Sequence, residues 1–194
     1  MSDLEAAFAA VDAANAGDPN AVVVRGERRP KEQAHAELAV EWVRRLVSEP
    51  SDALLLAARA HHVRRWEIPR RSQPDGRAGY LAWKRSLQQH HAAVAGRVLA
   101  DAGVDAATIE RVQALVKKQR LKSDPEVQAL EDALCLVFVE TQFGALTAQL
   151  GDDHMVEVVA KTLRKMTPAG REAAIGLPLD DAAVRIVGQA LAQL

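Results

Sequence analysis

Five of the six histidines lie between residues 35 and 91: His35, the doublet His61-His62 and the doublet His90-His91. Imidazole is a metal ligand and a proton carrier near neutral pH. Two doublets and a singlet on three different predicted helices therefore outline a metal-binding or proton-transfer centre. Adjacent helical residues point about 100° apart, so one member of each doublet faces inward and the other lies on the flank. Leu54, Leu55, Ala58 and His62 share a face, as do Leu87, His91, Val94 and Val98. These spacings select His62 and His91 as the inward pair. A cation between them needs carboxylates. Asp132 stands in the apolar run LEDALCLVF, where a charge is costly unless it is paired or bound to metal. Glu131, one step round, is expected on the flank. On an earlier helix both His35 and Glu37 are available, but not from the same face.

Beside this centre runs a basic segment. Residues 64–85 carry Arg64, Arg65, Arg70, Arg71, Arg77, Lys84 and Arg85 against Glu67 and Asp75, interleaved with Trp66, Tyr80 and Trp83. Guanidinium groups recognise phosphate in bidentate fashion, and aromatic rings stack on bases. Arg64 and Arg65, next to His62, are the expected anion contacts; Arg70, Arg71 and Arg85 read better as a solvated face. Trp66 and Trp83 are more often core than stacking platforms. Lys117, Lys118, Arg120 and Lys122 form a second basic run that can close over the same site.

The elements that must position these residues read as helical. Alanine and leucine dominate and β-branched runs are rare outside Ala21–Val24, so one all-α domain of about eight or nine helices spanning residues 1–194 is expected. Ser2 or Asp3 caps the first helix. Residues 21–30 are extended with a turn near Gly26. Pro30 opens a second helix, and Ser51-Asp52 a third that runs to about Val63. A loop follows from Trp66 to Gly79, then a long helix over 80–102 and another capped by Asp105. The string Ser123-Asp124-Pro125-Glu126 reads as a capping box for one helix through Leu146. Asp152, Thr167-Pro168 and Asp181 open the remaining helices.

Composition narrows the function classes. A net charge of -1 excludes a globally basic nucleic-acid binder, though a local RNA-binding patch stays open. The single cysteine, Cys135, lies in an apolar run and reads as buried filler, in keeping with a reducing cytoplasm. No signal peptide and no membrane span are expected. P-loop, dinucleotide, G-x-S-x-G and CxxC patterns are missing.

The strings HAELAVEW, AARAHH and LEDALCL resemble, in order and scale, the motifs of the HD superfamily of helical metal-dependent phosphohydrolases. Val63 stands where that superfamily has the aspartate that often bridges two metals, so the resemblance does not carry a binuclear centre with it. Over roughly residues 10–190 the chain is also similar to the domain of unknown function 4202 family, through DAANAGDPN, HHVRRWEIPR, GRAGYLAWK, LKSDPEVQALED and CLVFVE. The HD resemblance implies a divalent ion (Mn, Fe, Zn or Mg) on Glu37 (or His35), His62, His91 and Asp132. The basic aromatic segment and the second basic run beside it would then meet a small phosphate-bearing substrate through Arg64, Arg65, Trp66, Arg77 and Lys122, with Glu131 moving protons. The expected activity is hydrolysis of a nucleotide or other small phosphate ester. An iron-dependent HD-like oxygenase would instead bind iron and respond optically to oxygen. A non-enzymatic RNA- or nucleotide-binding module would keep salt-dependent RNA binding after chelation.

Overall fold

The computed structural model describes residues 3–194 and is a single, mostly helical domain. Among the described residues there are ten α-helices, more than the eight or nine expected. They are α1 (Asp3–Asn15), α2 (Lys31–Leu46), α3 (Asp52–Ala60), α4 (Gly76–Asp101), α5 (Ala106–Val116), α6 (Pro125–Thr141), α7 (Phe143–Leu150), α8 (Asp152–Leu163), α9 (Pro168–Ile175) and α10 (Asp181–Leu191). The expected Ser2 cap lies outside the described residues.

Most helix starts follow from local chemistry. The side chains of Ser51, Asp105, Thr167 and Asp180 each accept a hydrogen bond from a backbone N–H of the first turn. Pro125 and Pro168 occupy first-turn positions where a missing N–H costs nothing. The cap of α6 is Asp124, not Ser123, and Glu126 turns away to Ser51 and Arg111. The extended stretch is a hairpin, β1 (Ala21–Val24) antiparallel to β2 (Glu27–Pro30), with Ala21 opposite Pro30. Its two-residue turn puts Arg25 at φ 52° and Gly26 at φ 85°, the primed geometry that matches strand twist.

Two expected spans are revised. The helix predicted through Leu146 breaks at Gln142, and α6 and α7 meet at 67°. The basic loop is shorter than predicted, because α4 begins at Gly76; before it lie two 3-10 turns, Arg65–Glu67 and Arg70–Ser72. The early start of α4 depends on Gly79, where a Cβ would fall 1.9 Å from the Pro74 carbonyl oxygen.

The core is built around α6, which packs on α2, α3, α5 and α9, while α4 covers α5 and α1. α3 is buried around almost its whole circumference, from Ala53 to Ala58. Each fully buried leucine of this core, Leu54 and Leu136 among them, contributes about 2 kcal/mol from removal of apolar surface. α8 and α10 pack on each other at the far end. No single described helix is long and apolar enough to cross a membrane.

Candidate functional site

α2, the turn after α3, and the middle of α4 bring imidazoles together with a carboxylate that the sequence reading passed over, Glu32. It lies in the first turn of α2, only 3 % exposed, three residues before His35. Its Oε2 accepts from His62 Nδ1 at 3.2 Å and stands 4.0 Å from His35 Nδ1, and its Oε1 is 3.9 Å from Arg65 Nε. His62 and His91 approach to 5.4 Å between ring centroids. His61 stacks on His62 at 4.2 Å but is itself buried and donates from Nδ1 to the Ala58 carbonyl at 2.8 Å. The flank position expected for His61 is therefore an interior one, held by backbone.

The hydrogen bonds assign the protons. His91 Nδ1 lies 3.0 Å from the Val63 carbonyl, which can only accept, so that nitrogen carries the hydrogen. His91 Nε2 is left as a buried lone pair with no partner among the described residues. Thr141 gives its hydroxyl proton to the Val137 carbonyl at 2.7 Å and so accepts from His35 Nε2 at 3.1 Å. That leaves the His35 Nδ1 lone pair facing the Glu32 carboxylate. His62, donating from Nδ1 to Glu32, keeps its Nε2 lone pair.

The electrostatics agree with this proton assignment. Burial pushes His91 down to about 4 and lowers His35. Burial, then Arg65 and the neighbouring His91, hold His62 well below the ordinary imidazole value. About a third of the His62 side chain is still open to solvent, which softens that effect. At neutral pH the centre therefore gathers three neutral rings and a carboxylate, rich in lone pairs and poor in protons.

This donor chemistry suits a divalent cation. Glu32 Oε2 and His35 Nδ1 stand 4.0 Å apart and would have to close by roughly half an ångström to meet a tetrahedral ion with bonds of about 2.0–2.2 Å. Two imidazoles on one ion have centroids about 5–6 Å apart by the same bond lengths, as His62 and His91 do. As the side chains stand, no group of three or more His, Cys, Asp or Glu among the described residues is converged for an ion, so binding requires side-chain rotation.

The other residues selected from sequence are placed as follows. Glu37 faces the hairpin, with its carboxylate on Arg29 at 2.6 Å and on Arg59 at 3.6 Å. Arg59 in turn holds Asp12 in a tight pair. Asp132 is buried as expected but points at the start of α9. It accepts from Thr167 N (3.1 Å), the Thr167 hydroxyl and Gln128 Nε2 (2.9 Å), and it packs against Gly170. Neither carboxylate meets the imidazoles. Glu131 is interior too, 4 % exposed, where a flank had been expected. It pairs closely with Lys118 and stands 3.7 Å from Lys165; despite burial, those lysines hold its carboxyl below the usual range.

Arg65 is mostly buried, with its guanidinium 5.0 Å from the Trp83 ring centroid. Trp83 is anchored through Nε1 to the Ile68 carbonyl at 2.9 Å. Arg64 points outward to Glu67 at 2.9 Å, at φ 52°, and its N–H is held by the buried Asn15 side chain at 3.0 Å. His90 donates to the Arg64 carbonyl at 3.1 Å and so braces the same turn. Arg77 and Lys122 are exposed, and Trp66 is half-buried in the first 3-10 turn. Burial raises the Cys135 thiol to about 12, which makes it inert. Glu32 was detectable from its i,i+3 spacing to His35, but a first-turn acid is also ordinary helix-dipole chemistry.

The profile of the family Domain of unknown function (DUF4202) matches residues 5–187, and the chain belongs to that family. No curated protein and no solved structure matches it.

Proposed function

We propose that this DUF4202 chain is a metal-dependent phosphohydrolase with an HD-like helical site, acting on a small phosphate ester. The observation that carries the reading is the buried, unpartnered Nε2 of His91, set beside the Glu32–His62 pair. A buried lone pair without a partner costs about 1–3 kcal/mol unless a ligand, water or ion meets it. His62, His91, Glu32 and His35 are the residues that would hold the ion. Glu37 and Asp132 are left out because their oxygens are already taken up by arginines and by the α9 turn.

A divalent ion in such a site lowers the pKa of its bound water and so supplies a nucleophile at neutral pH. The chain's own part is charge and position. Arg65, packed on Trp83 and only loosely tied to Glu32, is free to meet phosphoryl oxygens. His62, its Nδ1–H held by Glu32, would offer the ion its Nε2 lone pair on the side open to solvent. Lys118, fixed by Glu131, adds a second cation.

A phosphate-release screen over sugar phosphates and nucleotides, with Mn, Fe, Zn or Mg added, tests this reading. Release that stops with chelator and falls at least 100-fold in His91→Ala is expected. Release equal in His91→Ala and the parent, or no release from any substrate with any metal, would overturn it.

A further inference from the structure

Next to the imidazoles stands a group of cations with too few anions. Lys118 and Lys165 converge on the single buried carboxylate of Glu131. Arg65 has only a 3.9 Å approach to Glu32. Lys84 makes no ion pair within 4.0 Å among the described residues; the shared Glu131 carboxylate acts on it at longer range, and the Tyr80 ring lies 5.7 Å from its Nζ. Packing lowers Lys84, repulsion from Lys165, Lys118 and Arg65 lowers it further, and Glu131 offsets only part of this. Four cations against two carboxylates leave a surplus of two positive charges in one place. Lys84 and Lys165 are largely open to solvent, which screens their repulsion, and a bound anion relieves what remains. Lys118 is placed by the end of α5: at φ 54° it closes that helix, with its N–H on the Leu115 carbonyl and the Gln119 N–H on the Ala114 carbonyl.

The aromatic residues beside this cluster add a second requirement. Tyr80 is 45 % exposed on the first turns of α4, with the anchored Trp83 ring 6.0 Å away. Trp83 carries Arg65 on its face, so Tyr80, Trp83 and Arg65 form a continuous row from solvent to Glu32. Along the helix, Tyr80 precedes Lys84 by one turn, about 6 Å. That interval is on the order of the distance a ribose places between a base and its 5′-phosphate. His91 lies two further turns along the same face, so the row ends at the proposed reaction centre.

We propose that Lys84, Lys118, Lys165 and Arg65 form the phosphate-binding subsite, and that Tyr80 is the platform on which a nucleobase stacks. The ligand class is therefore a nucleotide rather than a sugar phosphate. This assignment rests on the phosphohydrolase reading for its place in a reaction, but its test does not depend on turnover.

Calorimetric titration of chelator-treated protein with AMP, ribose 5-phosphate and inorganic phosphate separates the two parts. AMP is expected to bind roughly tenfold more tightly than ribose 5-phosphate, the usual size of one base–aromatic stack. Tyr80→Ala should reduce that ratio to below twofold without changing ribose 5-phosphate binding, and Tyr80→Phe should retain it. Lys84→Met should weaken AMP and ribose 5-phosphate alike, by fivefold or more. Equal binding of AMP and ribose 5-phosphate, or a tenfold ratio that survives Tyr80→Ala, overturns the proposal. An intact Tyr80-dependent ratio in a protein that releases no phosphate supports the subsite and removes only the hydrolase reading. Metal-dependent hydrolysis of a sugar phosphate without any AMP preference does the reverse.

Discussion

Replacing Asp132 separates a ligand role from a structural one. Its carboxylate accepts from the backbone N–H and hydroxyl of Thr167 and from Gln128 Nε2, and Thr167 in turn caps α9 through the Gly170 N–H. In Asp132→Ala the Gln128 amide keeps its bond to the Lys165 carbonyl, while the Thr167 donors lose a charged acceptor. Charge-assisted bonds contribute about 1.5–3 kcal/mol each, and a buried orphan N–H costs a similar amount. Allowing for partial relaxation, the loss is about 3 kcal/mol. For a domain of this size that lowers Tm by roughly 6–12 °C. Asp132→Asn keeps one acceptor oxygen and should cost about half as much. Because the partners act together, Thr167→Ala in the Asp132→Ala background should add under about 1 kcal/mol. Urea and thermal unfolding, read beside metal content, make the assay. A Tm within 2 °C of the parent combined with lost metal would refute the reasoning and return Asp132 to the metal.

Two further outcomes follow from the geometry. His91 has its pKa depressed to about 4, so the unfolded chain takes up the proton first as pH falls. Its stability contribution is complete above about pH 6.5 and is lost toward pH 4, amounting to about 2 kcal/mol by pH 5. A urea midpoint unchanged between pH 7.5 and pH 5 would contradict this, and His91→Gln should remove that share of the fall while leaving what His35, His61 and His62 contribute. Gly79→Ala should displace the Pro74 turn and with it the start of α4, since backbone rather than a flexible side chain meets the added Cβ. Tryptophan fluorescence should then report a loosened Trp83, and protease should cut between residues 68 and 79; unchanged spectra and cutting would mean that the turn adapts freely.

Much of the fold was legible because it is written locally. Ser51, Asp105 and Thr167-Pro168 start helices by hydrogen bonds to their own neighbours, and those starts stand as read. The break at Gln142 has no proline, and the nearby Gly144 lies inside α7 rather than at the break; tertiary packing bends an apolar run that periodicity alone continues. For the site, helical faces select His62 and His91; these two do meet, although His61, and not His62, is the more deeply buried of its doublet. The carboxylates were harder. An acid in an apolar helix must be satisfied, but periodicity does not say by what: Asp132 is satisfied by a threonine 35 residues later, and Glu37 by arginines of the hairpin and α3. Glu32 joins the imidazoles only because α2 packs beside the turn after α3. Lys165, distant in sequence, reaches Glu131 through the same kind of convergence.

The central claim, that His35, His62, His91 and Glu32 hold one divalent ion, is tested most directly by metal analysis of protein purified under metal-replete conditions. About one ion per chain is expected. It should fall below roughly 0.1 in His62→Ala and His91→Ala, and stay near one in Glu37→Gln. A parent protein with less than about 0.1 ion per chain, or a Glu37→Gln variant that loses its metal while His91→Ala keeps it, would contradict the account.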